Sequence, residues 1–266
     1  MTTMAATHSL RVLVVGATGS IGRLAVEQAL SRGHSVDALV RGTTRAQFLP
    51  AAARRVTGDL TRADTLVAAV KDVEAVVFTH GADGGGKLGA EQVDYGAVRN
   101  VLQALGGREV RIALMTSIGT TNRNGAYNRA TEVHDWKRRG ERLVRASGLP
   151  YTIVRPGWFD YNAKDQHRLV FLQGDKRHAG DPSDGVVSRR QIAQVLVHSL
   201  SSEAARNKTL ELVAERGTAQ DDLDSLFAAL LPDHPRALDA VLDEPNMPLA
   251  SEPERVLADY RQWVDV

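Results

Sequence analysis

The feature that most constrains the fold of this chain is Gly16-Ala17-Thr18-Gly19-Ser20-Ile21-Gly22, three evenly spaced glycines lying between two apolar segments of different period. The segment before it, Leu10–Val15, reads as a short buried strand. The segment after it, Ile21–Ser31, carries Ile21, Leu24, Ala25, Ala29 and Leu30 near helical spacing and is stopped by Gly33. In a strand–turn–helix of this kind the first glycine lets the chain turn sharply out of the strand. The second leaves no side chain where a diphosphate approaches, and the third lets the helix pack close to the sheet. Free N–H groups at the helix start then face the anion. A glycine triplet alone is a weak signal; the strand before it and the helix after it make the signal specific. Gly16, Thr18, Gly19, Ser20, Ile21 and Gly22 are therefore the expected contacts to the pyrophosphate of a dinucleotide.

The same alternation continues downstream. Strands are expected at Ser35–Val40, around Arg55–Thr57, and at Glu74–Thr79, Val110–Thr116 and Tyr151–Arg155. Helices are expected at Gln47–Ala53, Asp64–Val70, Glu91–Leu105 and Thr131–Ser147, with a glycine-rich loop at His80–Gly89. Short apolar strands joined by helical crossovers imply a parallel sheet buried on both faces, with right-handed connections. The fold class is α/β, a Rossmann-like doubly wound parallel sheet with its ligand at the carboxyl ends of the strands. After Gly157 the pattern loosens. It suggests a hairpin of Leu169–Leu172 with a stretch near Arg177, turning at Gly174–Asp175, and a helix Arg189–Leu200 capped by Ser188. A strand Leu210–Val213, a helix Asp221–Leu231, an acidic, proline-rich surface loop Pro232–Pro253 and a helix Arg255–Val264 complete it. With no repeat and no linker, residues 1–266 read as a single domain: a core over 10–160 and a small C-terminal substrate lobe over 161–266.

Composition narrows the function. The chain has 266 residues and no cysteine, which removes thiol catalysis, disulfides and cysteine-ligated metal. Its 33 basic and 32 acidic residues leave a net charge of +1, so no overall field draws it to nucleic acid or to an anionic membrane. The basic clusters Lys137–Arg139 and Arg189–Arg190 read as solvated helix faces. No run approaches the about 18 apolar residues of a membrane span. Met1–Ser9 lacks a basic start and an apolar run and reads as a short leader, so the expected compartment is the cytoplasm. His80, His134, His167, His178, His198 and His234 show no zinc-like spacing, and no metal is expected. Ser117 lies in no G-x-S-x-G elbow, which argues against a hydrolase.

The tip of the second strand selects the dinucleotide. An acidic residue there would hold a ribose 2′-hydroxyl, whereas an arginine accommodates a 2′-phosphate. Arg41 stands 19 residues past Gly22, followed by Thr43, Thr44 and Arg45 as further donors, while the rival Asp37 falls in mid-strand. The expected cofactor is NADP(H), with NAD(H) the lesser alternative. Asp59 and Leu60 after the third strand, and His80 and Gly81 after the fourth, are further candidate contacts.

These residues resemble the short-chain dehydrogenase/reductase superfamily, in its atypical or extended, NmrA-like branch. Gly16–Gly22 with Arg41 is similar to that branch's NADP signature, and Gly58-Asp59-Leu60 to its adenine-contacting segment. Met115-Thr116-Ser117 is similar to its strand ending in the catalytic-position serine. Trp136-Lys137, Glu141 and Gly148–Gly157 resemble its active-site helix and the strand that follows. The resemblance covers roughly residues 10–160 and implies hydride transfer. In the superfamily a tyrosine moves the substrate proton, a lysine four residues later binds the nicotinamide ribose and lowers the tyrosine's pKa, and a serine positions the substrate oxygen. A free phenol, with a pKa of about 10, is a poor base at neutral pH, and an adjacent ammonium corrects this.

Here Val133 stands where the tyrosine belongs. Ser117 and Lys137 remain as candidate catalytic residues, with Tyr127, ten residues before Lys137, as a candidate that could swing in. His134 and Asp135 are expected to point away from the face that carries Lys137. Lys137, Pro156 and Gly157 are candidate contacts to the nicotinamide half, and Trp158, Phe159 and Tyr161 candidate walls of a substrate pocket. Two functions follow: an NADP(H)-dependent reductase or epimerase-like oxidoreductase acting on a small carbonyl or hydroxyl compound, or a module that senses NADP(H) without turnover. The expected partner is a small-molecule substrate, in a monomer or a homodimer.

Overall fold

The computed structural model describes residues 9–42, 46–82 and 84–264. The expected leader, apart from Ser9, and the expected donors Thr43, Thr44 and Arg45 lie outside the described residues. In chain order the elements are β1 (Arg11–Val15), α1 (Ser20–Ser31), β2 (Ser35–Val40), a 3-10 turn (Ala46–Phe48), β3 (Arg54–Thr57), and a 3-10 turn (Ala63–Leu66) running into α2 (Val67–Val70). Next come β4 (Ala75–Phe78), α3 (Gly86–Gly89), a π-helical turn (Ala90–Tyr95), α4 (Gly96–Leu105), β5 (Arg111–Met115), α5 (Ala126–Thr131), α6 (Val133–Ala146), β6 (Tyr151–Pro156) and β7 (Trp158–Phe159). The chain closes with β8 (Arg168–Leu172), β9 (Val186–Val187), α7 (Arg189–Ser199), β10 (Lys208–Glu215), α8 (Asp224–Ala228) and α9 (Glu254–Tyr260).

The sheet runs β3-β2-β1-β4-β5-β6-β10-β9-β7, with β8 pairing β10 from outside that path. Strands β1 to β6 and β10 are parallel; β8 and β9 pair antiparallel with β10, and β7 pairs parallel with β9. The order reverses between β1 and β4, the switch point where an open α/β sheet binds its ligand. Alternate residues of β1 serve opposite faces. Val12 and Val14 join a core with Ile21, Ala25 and Ala29 of α1 and Ile192, Val195 and Leu196 of α7. Leu13 and Val15 join a second core with Val98, Val101 and Leu102 of α4, Leu143 and Val144 of α6, and Tyr260 of α9. Burial on both faces is why these strands are apolar throughout rather than alternating.

Several sequence expectations are corrected. The hairpin around Gly174–Asp175 does not form. Arg168–Leu172 pairs instead with β10, because Gly174 and Asp175, at φ +93° and +48°, turn the chain away and Asp175 is held elsewhere. The expected helix Thr131–Ser147 breaks at Glu132 (φ +57°) into α5 and α6. Part of the expected loop His80–Gly89 is already helical from Gly86, continuous with the π turn and α4. The segment Gln47–Ala53 supplies only the end of a 3-10 turn, and Asp221–Leu231 and Arg255–Val264 shorten to α8 and α9. Ser188 caps α7 as expected, in a reciprocal capping box with Gln191.

The largest correction concerns the basic cluster of α6. Arg138, Arg139, Arg142 and Arg145 are buried, not solvated. Their partners come from residues 232–253, the expected surface loop, which lies across the helix as a strap. Asp239 meets Arg138 at 3.0 Å and Arg142 at 2.7 Å, Glu252 meets Arg139 at 2.6 Å, and Asp233 meets Arg145 at 3.1 Å. From β6, fully buried Arg155 holds Glu141 at 2.6 Å and Asp243 at 2.7 Å. A buried charge is tolerated when it is paired and hydrogen-bonded, and the arginine fork supplies enough donors for both. Arg190, by contrast, is exposed as expected.

Candidate functional site

The glycine turn lies at the switch point. Gly16 has φ +83°, and a Cβ there would lie 2.8 Å from the His80 backbone nitrogen. A Cβ on Gly22 would lie 2.0 Å from the Gly16 carbonyl oxygen, so the helix approaches the turn more closely than any side chain allows. Gly19 is the N-cap of α1, its amide donating to the Gly16 carbonyl at 2.9 Å. It offers no side-chain cap, and the first turn of α1 carries no acid. The opening amides of α1, with Thr18, Ser20 and Ile21 around them, thus form a bare positive cradle that fits a diphosphate.

At the tip of β2, Arg41 is exposed, and its charge helps hold the Asp59 carboxyl below the usual range, after the larger effect of the Thr61 amide and hydroxyl. The tips of β2 and β3 therefore bring Arg41 and Asp59 together. The Leu60 carbonyl accepts from Asn100 of α4 at 2.7 Å. The rival Asp37 is buried, with its carboxylate bound to Arg11 at 2.9 Å and to Arg54 at 2.6 Å. Those two arginines leave it no free oxygen for a ribose.

Beneath the turn, at the ends of β4 and β5, a cluster of buried polar groups stands without partners. His80 Nδ1, Asp94 Oδ2, Ser117 Oγ and His134 Nδ1 are all buried and unbonded. Asp94 sits in the π turn, a distortion that often marks functional sites, and its other oxygen holds Lys137 Nζ at 2.7 Å. A Cβ on Gly81 would lie 3.8 Å from that same Asp94 oxygen, which places the pair directly under the β4 rim. Burial pushes His80 down to about 4, with Asp94 pulling the other way, so the imidazole is neutral at physiological pH.

Ser117 follows β5. The amide of Ile118 donates to the Pro156 carbonyl at 3.0 Å, which ties this loop to the end of β6. Buried Asp175 fixes the rest of the loop, accepting from the amides of Gly119 and Thr121 at 2.7 Å each. Gly157 gives its amide to the Leu212 carbonyl at 2.9 Å. Trp158 and Tyr161 meet edge to face at 6.1 Å on the exposed side, while Phe159 packs on the core.

His134 is not turned away from Lys137, contrary to the sequence expectation. Residues three apart share a helix face. Burial is the main cause that lowers its pKa, and the Lys137 charge adds to it. Its Cε1 would lie 3.3 Å from a Cβ on Gly119. Asp135 does turn away, onto Arg123 and Asn128 at 3.0 Å each. Tyr127 is 58% exposed, with its ring 5.4 Å from that of His134. Among the described residues no group of three or more His, Asp and Glu side chains is arranged to hold a metal ion, and no helix is long and apolar enough to cross a membrane.

Sequence reasoning missed Asp94 and Asp175. Asp94 lies in what reads as an ordinary helix, and only its rarity as a buried acid there could have flagged it. Asp175 reads from the sequence as a turn residue, where an aspartate is ordinary.

The description "NAD(P)H-binding" belongs to the family whose profile matches residues 16–203. Among curated relatives, the chain is 30% identical to Protein TIC 62, chloroplastic, from Oryza sativa subsp. japonica, over 96% of this chain and 57% of that protein. It is 26% identical to Photosystem II assembly factor Ycf39 from Synechocystis sp., over 82% of this chain and 66% of that protein. The chain thus spans less than two thirds of the length of either relative. Two solved structures share the fold: a putative NAD-dependent epimerase/dehydratase from Bacillus halodurans (TM-score 0.64, 21% identity, 84% of this chain and 100% of that one) and a wide-type short-chain dehydrogenase/reductase from Veillonella parvula in complex with NADP (TM-score 0.58, 16% identity, 77% and 94%). The bare glycine cradle at the switch point and the profile that begins on its first glycine lead to one assignment: the chain belongs to the NAD(P)H-binding family.

Proposed function

We propose that the chain is an NADP(H)-dependent oxidoreductase, a reductase or epimerase-like enzyme acting on a small carbonyl or hydroxyl compound. The observation that carries this is the unpartnered Ser117 Oγ, buried just after β5 in the loop that the Ile118 amide ties to the Pro156 carbonyl, at the same end of the sheet as the glycine cradle. A buried hydroxyl with no partner is costly unless a ligand completes it. The cofactor, when bound, supplies the hydride; the chain supplies orientation and a hydrogen bond to the substrate oxygen. Lys137, steadied by Asp94, would hold the nicotinamide ribose, with Pro156 and Gly157 near the carboxamide and Trp158 and Tyr161 walling the outer side. Arg41 at the β2 tip and the engaged Asp37 support NADP(H) over NAD(H).

Two observations favour the alternative, an NADP(H)-sensing module. Val133 replaces the proton-moving tyrosine, and Asp94 neutralises the ammonium that would have lowered such a tyrosine's pKa. NADPH oxidation measured across quinones, aldehydes and ketones separates the two readings. The enzyme reading expects turnover that Lys137→Ala abolishes; tight NADPH binding with no turnover on any acceptor leaves the sensor. The strap that fills the outer face of α6 supports a monomer over a homodimer, which light scattering checks. The cytoplasm remains our proposed compartment, to be tested by fractionation, since the rice relative is named as chloroplastic.

A further inference from the structure

Arg189 read as part of a solvated helix face, and the structure places it elsewhere. It opens α7, directly after the Ser188 cap. α7 and α1 pack in one core on the same face of the sheet. Arg189 Nε donates to Ser20 Oγ, the first residue of α1, at 3.1 Å. Its guanidinium also pairs with the Asp160 carboxylate, and its amide donates to Asp160 Oδ1 at 2.9 Å. The Phe159 ring lies 5.4 Å from the guanidinium carbon. Asp160 has φ +59° and ends the short run that follows β6. One side chain therefore bridges the segment after β6 and the residue that opens the phosphate cradle.

From this we infer that Arg189 is a clamp for the dinucleotide pyrophosphate, and that Asp160 competes with that anion for the guanidinium. The inference rests on the cofactor reading above. Arg189 is 36% exposed and Asp160 47%, so their pair is screened and exchanges at little cost. A diphosphate at Ser20 offers more charge than one carboxylate and matches the planar arginine fork. The first turn of α7, like that of α1, holds no acid to oppose it.

Calorimetric titration with NADPH, NADH and adenosine 2′-monophosphate, which lacks the pyrophosphate, tests the clamp. Arg189→Ala weakens both dinucleotides alike, by about tenfold, as loss of one charge-assisted bidentate contact implies. The monophosphate is unaffected by it. Arg189→Lys keeps part of the affinity, and Arg190→Ala, on the exposed neighbour, changes nothing. Asp160→Asn retains the acceptor for the Arg189 amide but releases the guanidinium, and tightens both dinucleotides by roughly two- to threefold. Arg41→Ala shows the opposite pattern, with NADPH and the monophosphate weakened and NADH spared. Unchanged dinucleotide affinity in Arg189→Ala, or a loss confined to NADPH, overturns the clamp. Should the Arg189 variants fail to fold, Asp160→Asn decides alone, and unchanged or weaker binding there counts against it. Wild-type protein that binds neither dinucleotide overturns the cofactor reading itself, an outcome distinct from any variant's behaviour.

Discussion

Helix α6 has two sides that treat charge in opposite ways. Toward the strap, four guanidiniums are each held by a carboxylate from a segment about a hundred residues downstream. Three buried atoms on that side lack a hydrogen-bond partner, Arg142 Nη1, Glu252 Oε1 and the Tyr260 hydroxyl, and the first two face each other at 3.7 Å. Toward the sheet rim, His134 and Lys137 look onto a cluster in which four buried polar atoms have no partner. Both sides are buried and both are polar. Groups that find partners inside the chain hold it together, and groups left without them mark where something from outside completes the site.

The sharpest way to break this contrast is Arg155→Met. It leaves Glu141 and Asp243 buried without their shared cation and should cost about 3–5 kcal/mol in urea denaturation. A cost below about 1 kcal/mol would mean the strap side is not a closed network, since surface pairs cost no more than that. The next effect is set by pH. His80 is neutral in the fold down to about 4, whereas an unfolded histidine takes a proton near 6.5. The unfolded state therefore binds the extra proton between these values. The His80 contribution is whole above pH 6.5 and lost as pH falls toward 4, by up to about 3 kcal/mol. His80→Gln should flatten stability across that window, and an unchanged slope would place the imidazole in water. The smallest loss of stability is expected from Ser117→Ala, none or a slight gain, because it removes a buried hydroxyl that bonds to nothing in the chain. Turnover should nonetheless fall by about a hundredfold. A large stability loss with intact turnover would move Ser117 to the structural side.

Local signals were legible in the sequence, and long-range pairings were not. The glycine turn, the strand Ser35–Val40 and the Ser188 cap all follow from residues within a few positions of one another, and the structure has them where expected. The run Lys137-Arg138-Arg139 looks solvated because its counter-charges, Asp94, Asp239 and Glu252, all lie far from it in the chain. One signal was available: an arginine at every turn of one helix, and a later segment that carries several aspartates and glutamates. At the rim, the candidates Ser117, Lys137, His80 and Gly81 lie at one end of the sheet. Asp94 and Asp175 were not, because a π turn and a left-handed aspartate leave no periodicity to read.

The strap has a consequence for synthesis. The arginine helix leaves the ribosome about a hundred residues ahead of the acids that cover it. At translation rates of about 5–20 residues per second, that is roughly 5–20 seconds during which a half-made polypeptide displays a cationic ridge with nothing to quench it. The nucleotide-binding half can assemble its strands in that interval, but it cannot seal its outer helix. The acidic strap therefore decides when the nucleotide-binding half is finished.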